Sequence, residues 1–409
     1  MSGLIADFRL ASRNLARNAR RTLAAMLTVV FGVAAFLLAG GFIAWIFEQM
    51  RESVIHSQLG HVQIVRPAFF EKGIADPYAF LLPERSEEQA LVERMPGVRR
   101  LAPRLALSGL ISHGETTIAF IGEGVDPVGE RSVSSQVNIV SGRNLETGGE
   151  AAVILGEGLA RGMGVAPGDE VVLLTTAANG SPNAVELRVA GTFATTSKAY
   201  DDSALRLPIR VARKLMRVEG ATSWVVLLDD TEKTAEVSRY LSGKLPGDRF
   251  EVVPWTALAD FYNKTVVLFS RQVGVVRLII GILIALTISN TQMMSVLERT
   301  NEIGTSLALG LRRAVVMRLF VTEGVLIGVL GGALGVLLGF ALARVISAIG
   351  IPMPPPPGMA RGFLGEILIV PRLAADALLL ATLTTFVASL FPAWKASRMI
   401  IVDALRRGP

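Results

Sequence analysis

The sequence contains no cysteine among its 409 residues, which excludes disulfides, cysteine-ligated zinc and thiol chemistry but leaves the compartment open. Histidine is almost as scarce, and His56, His61 and His113 show no spacing typical of a metal site. Motifs for serine hydrolases and for phosphate-binding loops are missing as well. We therefore predict a chain that is not an enzyme and that itself binds neither a metal nor a cofactor.

Charged residues are also few. Only 19% of the residues are charged, 51% are hydrophobic and the mean hydropathy is +0.48, which is typical of a membrane protein with a substantial soluble part. The net charge of +6 is modest. The basic residues lie mostly beside apolar segments, where they indicate membrane topology rather than a surface for nucleic acid. We expect no nucleic-acid partner.

Four apolar runs stand out, at residues 22–47, 278–297, 324–343 and 377–394, and none of them contains a charged residue. A helix of about 20 residues crosses a hydrocarbon core of about 30 Å, and the lack of water there forces such runs to be helical. Between the first two runs lie short β-rich stretches, turn signals and helical patches. The predicted fold is an α-helical membrane domain with four transmembrane helices plus a large α+β periplasmic domain between the first two.

Arginine and lysine predict the orientation. They are concentrated before the first run, between the second and third runs, and after the fourth. Because positively charged flanks stay in the cytoplasm, both termini and the 298–321 loop are predicted to be cytoplasmic, in a multi-pass protein of the bacterial inner membrane. The stretch at 194–206 shows no strand pattern, and we expect an exposed loop there.

These signals divide the chain into nine predicted segments. They are a cytoplasmic amphipathic interfacial helix at 1–21, transmembrane helix 1 with its stalk at 22–56, the periplasmic domain at 57–262, a stalk with transmembrane helix 2 at 263–297, a cytoplasmic coupling loop at 298–321, transmembrane helix 3 at 322–346, a periplasmic proline-rich loop at 347–373, transmembrane helix 4 at 374–396, and a cytoplasmic tail at 397–409. The stalks are helical extensions beyond the membrane; ordinary loop junctions are the alternative.

Glycine in the third run recurs every four residues in two registers. Small residues at this spacing let helices approach closely, either inside one protomer or across a dimer. The predicted helix-packing residues are Gly324, Gly328 and Gly332 in one register and Gly331, Gly335 and Gly339 in the other.

The loop sequence "ERTNEIGTSLALGLRR", residues 298–313, is polar and carries no catalytic pair. We predict that Gly304 and Gly310 bracket a short helix parallel to the membrane. Leu307 and Leu309 would present apolar side chains to a cytoplasmic partner, and Glu302 would present charge together with the following arginine pair. A loop of this kind is a docking surface without chemistry of its own.

These residues also carry a family resemblance. The stretch "ERTNEIGTSLALG" with its basic pair, the glycine-rich span, the closing "FPAWKASRMIIVDALR" and the segment at 142–174, "GRNLETGGEAAVILGEGLARGMGVAPGDEVVLL", resemble the permease subunits of MacB-like, or type VII, ABC transporters. The resemblance is strongest to the lipoprotein-releasing permeases of the LolC and LolE type and includes an FtsX-like domain. It makes the predicted 57–262 segment a MacB-like periplasmic core domain.

The resemblance implies a division of labour. In that family the loop helix seats in a groove of a separate cytoplasmic ABC ATPase, and two permeases, identical copies or sister subunits, sit on an ATPase dimer that uses ATP and Mg. The ATPase-coupling residues carried over by position are Glu302, Ile303, Gly304, Ala308, Leu309, Gly310, Arg312 and Arg313.

The implied task is to extract or move a lipoprotein, a lipid or another lipophilic cargo, so membrane lipid is an expected partner. An FtsX-like scaffold that controls a periplasmic enzyme, and MacB-like efflux through a periplasmic carrier or adaptor, are the alternatives. The hairpin at 177–184 turns quickly, which argues against a carrier-binding loop. A substrate-contact face is predicted from Phe42, Trp45 and Ile46 with Phe269, Val273 and Val276, with lipid-facing packing as its alternative.

Overall fold

A computed structural model describes residues 10–11, 13–15, 17, 19–73, 76–195, 197–353 and 363–400. Most of the predicted interfacial helix at 1–21, the proline run of the 347–373 loop and the end of the 397–409 tail lie outside the described residues. The chain divides into two compact units. The helix unit comprises Met1–Glu48, Thr265–Pro352 and Leu364–Pro409, and the sheet unit comprises Gln49–Lys264 and Met353–Phe363.

In chain order the α-helices are α1 (Ala19–Val54), α2 (Phe69–Lys72), α3 (Glu87–Glu93), α4 (Pro127–Val133), α5 (Glu157–Met163), α6 (Lys198–Asp201), α7 (Ile209–Met216), α8 (Thr234–Lys244), α9 (Trp255–Leu258), α10 (Asp260–Glu298), α11 (Thr300–Ala308), α12 (Arg313–Ile349) and α13 (Pro371–Ser397). A π-helical turn, Ile55–Leu59, follows α1 directly, and 3₁₀ turns lie at Pro77–Phe80 and Thr231–Lys233.

The strands are β1 (Val62–Val65), β2 (Val98–His113), β3 (Thr116–Val125), β4 (Asn138–Gly142), β5 (Ala152–Gly156), β6 (Glu170–Thr176), β7 (Pro182–Ala194), β8 (Ala204–Pro208), β9 (Ser223–Leu228), β10 (Glu251–Pro254), β11 (Ile351–Met353) and β12 (Phe363–Gly365).

In the described part of the chain, four helices are long and apolar enough to cross a membrane: α1 with its π turn, α10, α12 and α13. The helices α1, α10 and α12 contain 36, 39 and 37 residues. At 1.5 Å per residue each is about 55 Å long, well beyond a hydrocarbon core of about 30 Å. Their polar ends, which lie outside the charge-free runs of the sequence, account for the extra length.

The glycines of α12 pack against two different helices of the helix unit. A Cβ atom on Gly332 would lie 2.8 Å from Leu378 Cδ1 of α13, whereas one on Gly335 would lie 2.7 Å from Val33 Cβ of α1. The other members of each register meet the same neighbour, with Gly324 and Gly328 against α13, and Gly331 and Gly339 against α1. Both registers are therefore occupied by contacts inside the chain.

The sheet unit is built on one ten-stranded mixed sheet. Its order is β10-β1-β9-β2-β3-β8-β5-β7-β4, and β6 pairs with both β2 and β7. The pairs β3–β8 and β5–β7 are parallel, and the other pairs are antiparallel. Alternation of buried and exposed residues along β6 shows that one face is covered, and α5 and α7 contribute to the aliphatic core on that side. A second core gathers around Trp224 of β9 and includes side chains from α8.

The expectation of an exposed loop at 194–206 was wrong for its last residues. Residues 204–208 form β8, which is buried throughout and lies between β3 and β5. Its five residues include a proline and an arginine, so the sequence pattern of a strand is weak. Pairing on both sides, which depends on distant segments, makes it a strand.

Candidate coupling site

The short helix α11 stands between α10 and α12, in the stretch predicted to couple the chain to a partner. Its end is a Schellman motif: Gly310 N–H donates to Leu307 O (3.1 Å) and Leu311 N–H donates to Ser306 O (3.1 Å). Gly310 has a φ of +93°, which favours glycine. Gly310 thus terminates the helix, but Gly304 does not begin it, because Gly304 lies buried within α11.

The inner face of α11 is apolar and buried. Ile303 and Leu307, one turn apart, are 6% and 8% exposed and pack with residues of α10, α12 and α13, among them Phe320 and Ala393. The prediction that Leu307 points outward was therefore wrong, because the helical period places it on the same side as Ile303. Two members of the predicted coupling set, Ile303 and Gly304, belong to this inner face.

The outer face is exposed and mixes apolar and basic groups. Leu309 is 84% exposed and Leu311 is 44% exposed. The remaining predicted coupling residues lie on this side and are exposed as well: Glu302, Ala308, Gly310, Arg312 and Arg313. Two exposed leucines thus lie beside an arginine pair, and arginine is enriched at protein interfaces.

Ion pairs link α11 to the N-terminal segment. Arg17 Nη2 lies 2.6 Å from Glu302 Oε1, and Arg21 forms an ion pair with Glu298 at the end of α10. Desolvation opposes ionisation of Glu302, but the contacts with Arg17 and Arg299 outweigh it and hold the pKa of this carboxyl below its usual range. The pair with Arg17 is exposed on both sides, and such pairs stabilise a structure little.

A buried acidic group lies beneath α11. Glu323 of α12 is 5% exposed, and its Oε1 atom lies 3.1 Å from Arg299 Nη1 and accepts a hydrogen bond from Asn14 Nδ2 (2.8 Å). The guanidinium of Arg299 also stacks 5.4 Å from the centre of the Phe320 ring. The sequence prediction that the spans carry no interior charge missed this residue, because the apolar run was counted from Gly324. A lone glutamate directly before the first ladder glycine was the available signal.

Gln292 is a second buried polar group in the helix unit. Its Nε2 atom donates to Ser389 Oγ of α13 (3.2 Å) and to the backbone oxygen of Phe320 (3.3 Å). A cleft of about 30 Å³ is lined by Gln292, Glu323 and Arg299, together with Asn14. Polar side chains from α10, α12 and α13 are thus gathered where the bundle meets the N-terminal segment.

The predicted substrate-contact residues form two separate aromatic contacts. Phe42 stacks on Trp45 with ring centres 6.4 Å apart, and Phe269 meets the edge of Phe47 at 6.2 Å. Phe47 was not among the predicted residues. Ile46 and Val273 are half-buried, and Val276 is exposed. Substrate contact by this set stays a prediction.

The sheet unit contains an ionic cluster that the sequence did not reveal. Arg104 of β2 and Arg206 of β8 are 3% and 2% exposed. Arg206 lies 3.1 Å from Glu123 and Arg104 lies 2.5 Å from Glu130, and weaker cross-pairs complete the square. Desolvation disfavours a charged Glu123, yet the two arginines outweigh it and lower the pKa of its carboxyl. The cluster is buried and electrically balanced.

The same two arginines bind the end of the first long helix. Arg206 Nη2 donates to Ser57 O (2.8 Å), and Arg104 Nη1 donates to Gln58 O. Carbonyl groups at a helix C-terminus lack intrahelical partners and carry partial negative charge, so cations are favourable there. The π turn is consequently fastened to the sheet by charge-assisted hydrogen bonds. Among the described residues, no group of three or more His, Asp or Glu side chains could hold a metal ion.

Comparison with known proteins accounts for this architecture. Residues 22–243 match the family of MacB-like periplasmic core domains, and residues 274–401 match the FtsX-like permease C-terminal family. The chain belongs to the MacB-like family of ABC transporter permeases. The resemblance stated from the sequence is confirmed, and the four apolar helices make the chain a multi-pass membrane protein.

Relatives match most of the chain. The lipoprotein-releasing system transmembrane protein LolC of Xylella fastidiosa is 28% identical over 333 residues, 78% of this chain and 80% of that protein. The ABC transporter permease YvrN of Bacillus subtilis is 24% identical over 98% of this chain and 100% of its own length. The periplasmic region of MacB from Actinobacillus actinomycetemcomitans has 16% identity and a TM-score of 0.37, and it covers 53% of this chain and 97% of the solved structure.

Proposed function

We propose that this chain couples ATP hydrolysis by a separate cytoplasmic ABC ATPase to movement of its sheet unit in the periplasm. The chain would be the non-catalytic subunit, with ATP and Mg bound by the ATPase. The observation that carries the proposal is the outer face of α11, where Leu309 and Leu311 stand exposed beside Arg312 and Arg313. The helix is fixed on its inner face, and the exposed leucines at its C-terminal end suit docking into a groove of another protein.

The arginines support the orientation. Two arginines, Arg312 and Arg313, follow α11 in the sequence. Two more form ion pairs in the same region, Arg17 with Glu302 of α11 and Arg21 with Glu298 at the end of α10. An excess of arginine is typical of the cytoplasmic side. We place both termini and α11 in the cytoplasm and the sheet unit in the periplasm of an inner-membrane protein. Leu278 and Leu286 of α10 are each more than half exposed. They would contact lipid or a second permease, either another copy or a sister subunit.

A lipoprotein, a lipid or another lipophilic molecule is the proposed cargo. The support is the similarity to a lipoprotein-releasing transmembrane protein over most of both chains. An FtsX-like scaffold that controls a periplasmic enzyme is the alternative, and the match at residues 274–401 is the observation that favours it. MacB-like efflux, with a periplasmic carrier or adaptor as a further partner, is the second alternative, and the match at residues 22–243 is the observation that favours it.

Co-purification from the native membrane tests the proposal. We expect the tagged chain to retain an ATP-binding-cassette protein, and Leu309→Asp to lose it at least tenfold because a charge would enter an apolar groove, roughly 1.4 kcal/mol or more. Leu91→Asp, a change at an exposed leucine of the sheet unit, is the matched control. Capture through Leu309 would also place α11 on the cytoplasmic side.

Equal capture by wild-type and Leu309→Asp chains would contradict docking at α11. Mass spectrometry of the same preparations examines the cargo. An acylated protein or a defined lipid in near-stoichiometric amount supports transport, whereas a bound periplasmic hydrolase supports the scaffold alternative.

A further inference from the structure

Glu323 is the most unusual residue of the helix unit. It is a carboxylate at 5% exposure in a helix whose other buried side chains are apolar, small or glycine. Removal of a charged carboxylate from water is strongly unfavourable unless partners replace the water. An acidic residue in such a position is by default a functional feature of a membrane helix.

Its main partner is Arg299, which is enclosed on several sides. The two side chains are 6% and 11% exposed, and their closest atoms are 3.1 Å apart. The ring of Phe320 covers the guanidinium, and Glu302 lies 3.4 Å from its Nε atom. Asn14 donates a second hydrogen bond to the Glu323 carboxylate. The pair therefore has the extra contacts that a buried ion pair requires.

Arg299 stands at the N-cap of α11 and has no side-chain capping bond of its own there. Its side chain is directed instead to Glu323, so the buried pair connects the first turn of α11 to α12. The next residue, Gly324, begins the register that packs on α13. The ion pair thus joins the start of α11 to the residue directly before Gly324, where α12 packs closely on α13.

We propose that Glu323 is a positioning residue, which holds α11 through Arg299 in the orientation that presents Leu309 to the ATPase. The importance of that orientation rests on the proposed function, whereas the positioning itself concerns this chain alone. If a partner displaced α11, Arg299 would move with it, and the ion pair with Glu323 would transmit that displacement to α12. The exposed pair of Arg17 and Glu302 is too well solvated to serve in the same way.

Spectroscopy on the full chain tests the positioning without any ATPase. The natural absence of cysteine allows two spin labels to be placed at Leu309→Cys and Leu330→Cys, both exposed positions. The label distance is measured by electron double resonance in lipid nanodiscs. With Glu323 intact we expect one narrow distance peak, and with Glu323→Gln we expect that peak to be lost. Arg17→Gln, which breaks the exposed pair, is the matched control and should keep the narrow peak.

A double variant, Arg299→Gln with Glu323→Gln, separates positioning from stability. It leaves no unpaired charge in the bundle and should accumulate and fold even where Glu323→Gln does not. A broad distance distribution in the folded double variant is the expected result. A narrow, wild-type peak in either variant would overturn the inference and leave the proposed function intact. Failure to capture an ATPase would refute the proposed function and leave this measurement valid.

Discussion

The two units each bury charge, but they do so differently. In the sheet unit, two arginines and two glutamates form a closed square that also binds carbonyl groups of the π turn. In the helix unit, the buried carboxylate of Glu323 has one close cationic partner, Arg299, whereas the ion pairs Arg17–Glu302 and Arg21–Glu298 are exposed. The sheet cluster is closed on itself and holds the π turn against the sheet. The Glu323–Arg299 pair of the helix unit instead connects a buried contact to α11, whose exposed end a partner would cover.

The difference follows from what else stabilises each unit. The sheet unit has several aliphatic cores and a continuous hydrogen-bonded sheet, so its cluster is embedded in rigid surroundings. Helices in lipid gain little from the hydrophobic effect and depend on close packing and a few polar contacts. In the helix unit, the glycine contacts of α12 add to an aliphatic cluster, and Glu323 and Gln292 contribute buried polar contacts.

The largest expected effect comes from opening the sheet cluster. Arg206→Met would leave Glu123 and Glu130 with one arginine between them and would free the carbonyl of Ser57. Loss of one partner from a buried ionic group lowers the free energy of unfolding by about 3–5 kcal/mol. Chemical unfolding followed by tryptophan fluorescence would measure the loss. Arg188→Met, at an arginine whose pair with Glu170 is exposed on both sides, should change the same quantity by less than about 1 kcal/mol. Equal effects of the two substitutions would contradict the closed cluster.

Acidification should lower the stability of the sheet unit through His61, which lies outside the ionic cluster. His61 Nδ1 accepts a hydrogen bond from Leu228 N–H, and Nε2 lies 3.0 Å from Thr231 Oγ1, so the ring is bound as the neutral form. Burial, followed by the neighbouring His56, lowers the pKa of His61 from 6.5 to about 4. Because the pKa in the folded state lies below the unfolded value, the stability is complete above about pH 6.5 and is lost as the pH falls towards 4, by at most about 3 kcal/mol.

A pH series of unfolding midpoints measures this dependence. His61→Gln should flatten the curve between pH 6.5 and 4, the interval between the unfolded and folded pKa values of His61. His113→Gln, at a histidine whose Nδ1 atom lies 2.8 Å from Glu170 O, is the matched histidine control. An unchanged slope in His61→Gln would show that other groups govern the acid response.

The smallest expected effect concerns the glycine registers, and it has opposite signs at two positions. Gly335→Ala would bring a Cβ atom to 2.7 Å from Val33 Cβ, which should destabilise the bundle by about 1–3 kcal/mol. Gly274→Ala in α10 meets no atom within 4 Å and should stabilise the helix by up to about 1 kcal/mol. Thermal unfolding midpoints in detergent compare the two. A higher midpoint for Gly335→Ala would mean that α1 does not pack there as described.

Several features could be read from the sequence because they depend on local order. The charge-free runs correspond to the four long helices, since a segment of that length and polarity has no other stable conformation in lipid. Glycine at intervals of four predicted a packing surface on α12, although not which helix each register meets. Gly310 could be assigned as the end of α11 because only a residue that tolerates positive φ suits that position.

Other features were missed because they join residues far apart in the chain. Arg104 and Arg206 are ordinary basic residues in the sequence, and only the pairing of β2 and β8 with β3 brings them to Glu123. Leu307 was assigned to the outer face because its neighbours in α10, α12 and α13 were unknown. Glu323 directly precedes the charge-free run at 324–343, and only the tertiary structure brings Arg299 and Asn14 beside it.

The sequence by itself determined the class of this protein: four apolar helices, a large mixed α+β domain and the signatures of a MacB-like permease. These depend on hydrophobicity, spacing and short motifs, which act over a few turns of chain. Tertiary structure alone decided which side of α11 is free, which helices the glycines join and where buried charge is balanced. Each of these depends on side chains brought together from distant segments, because a buried charge or a close backbone contact is stable only when its partners are in place.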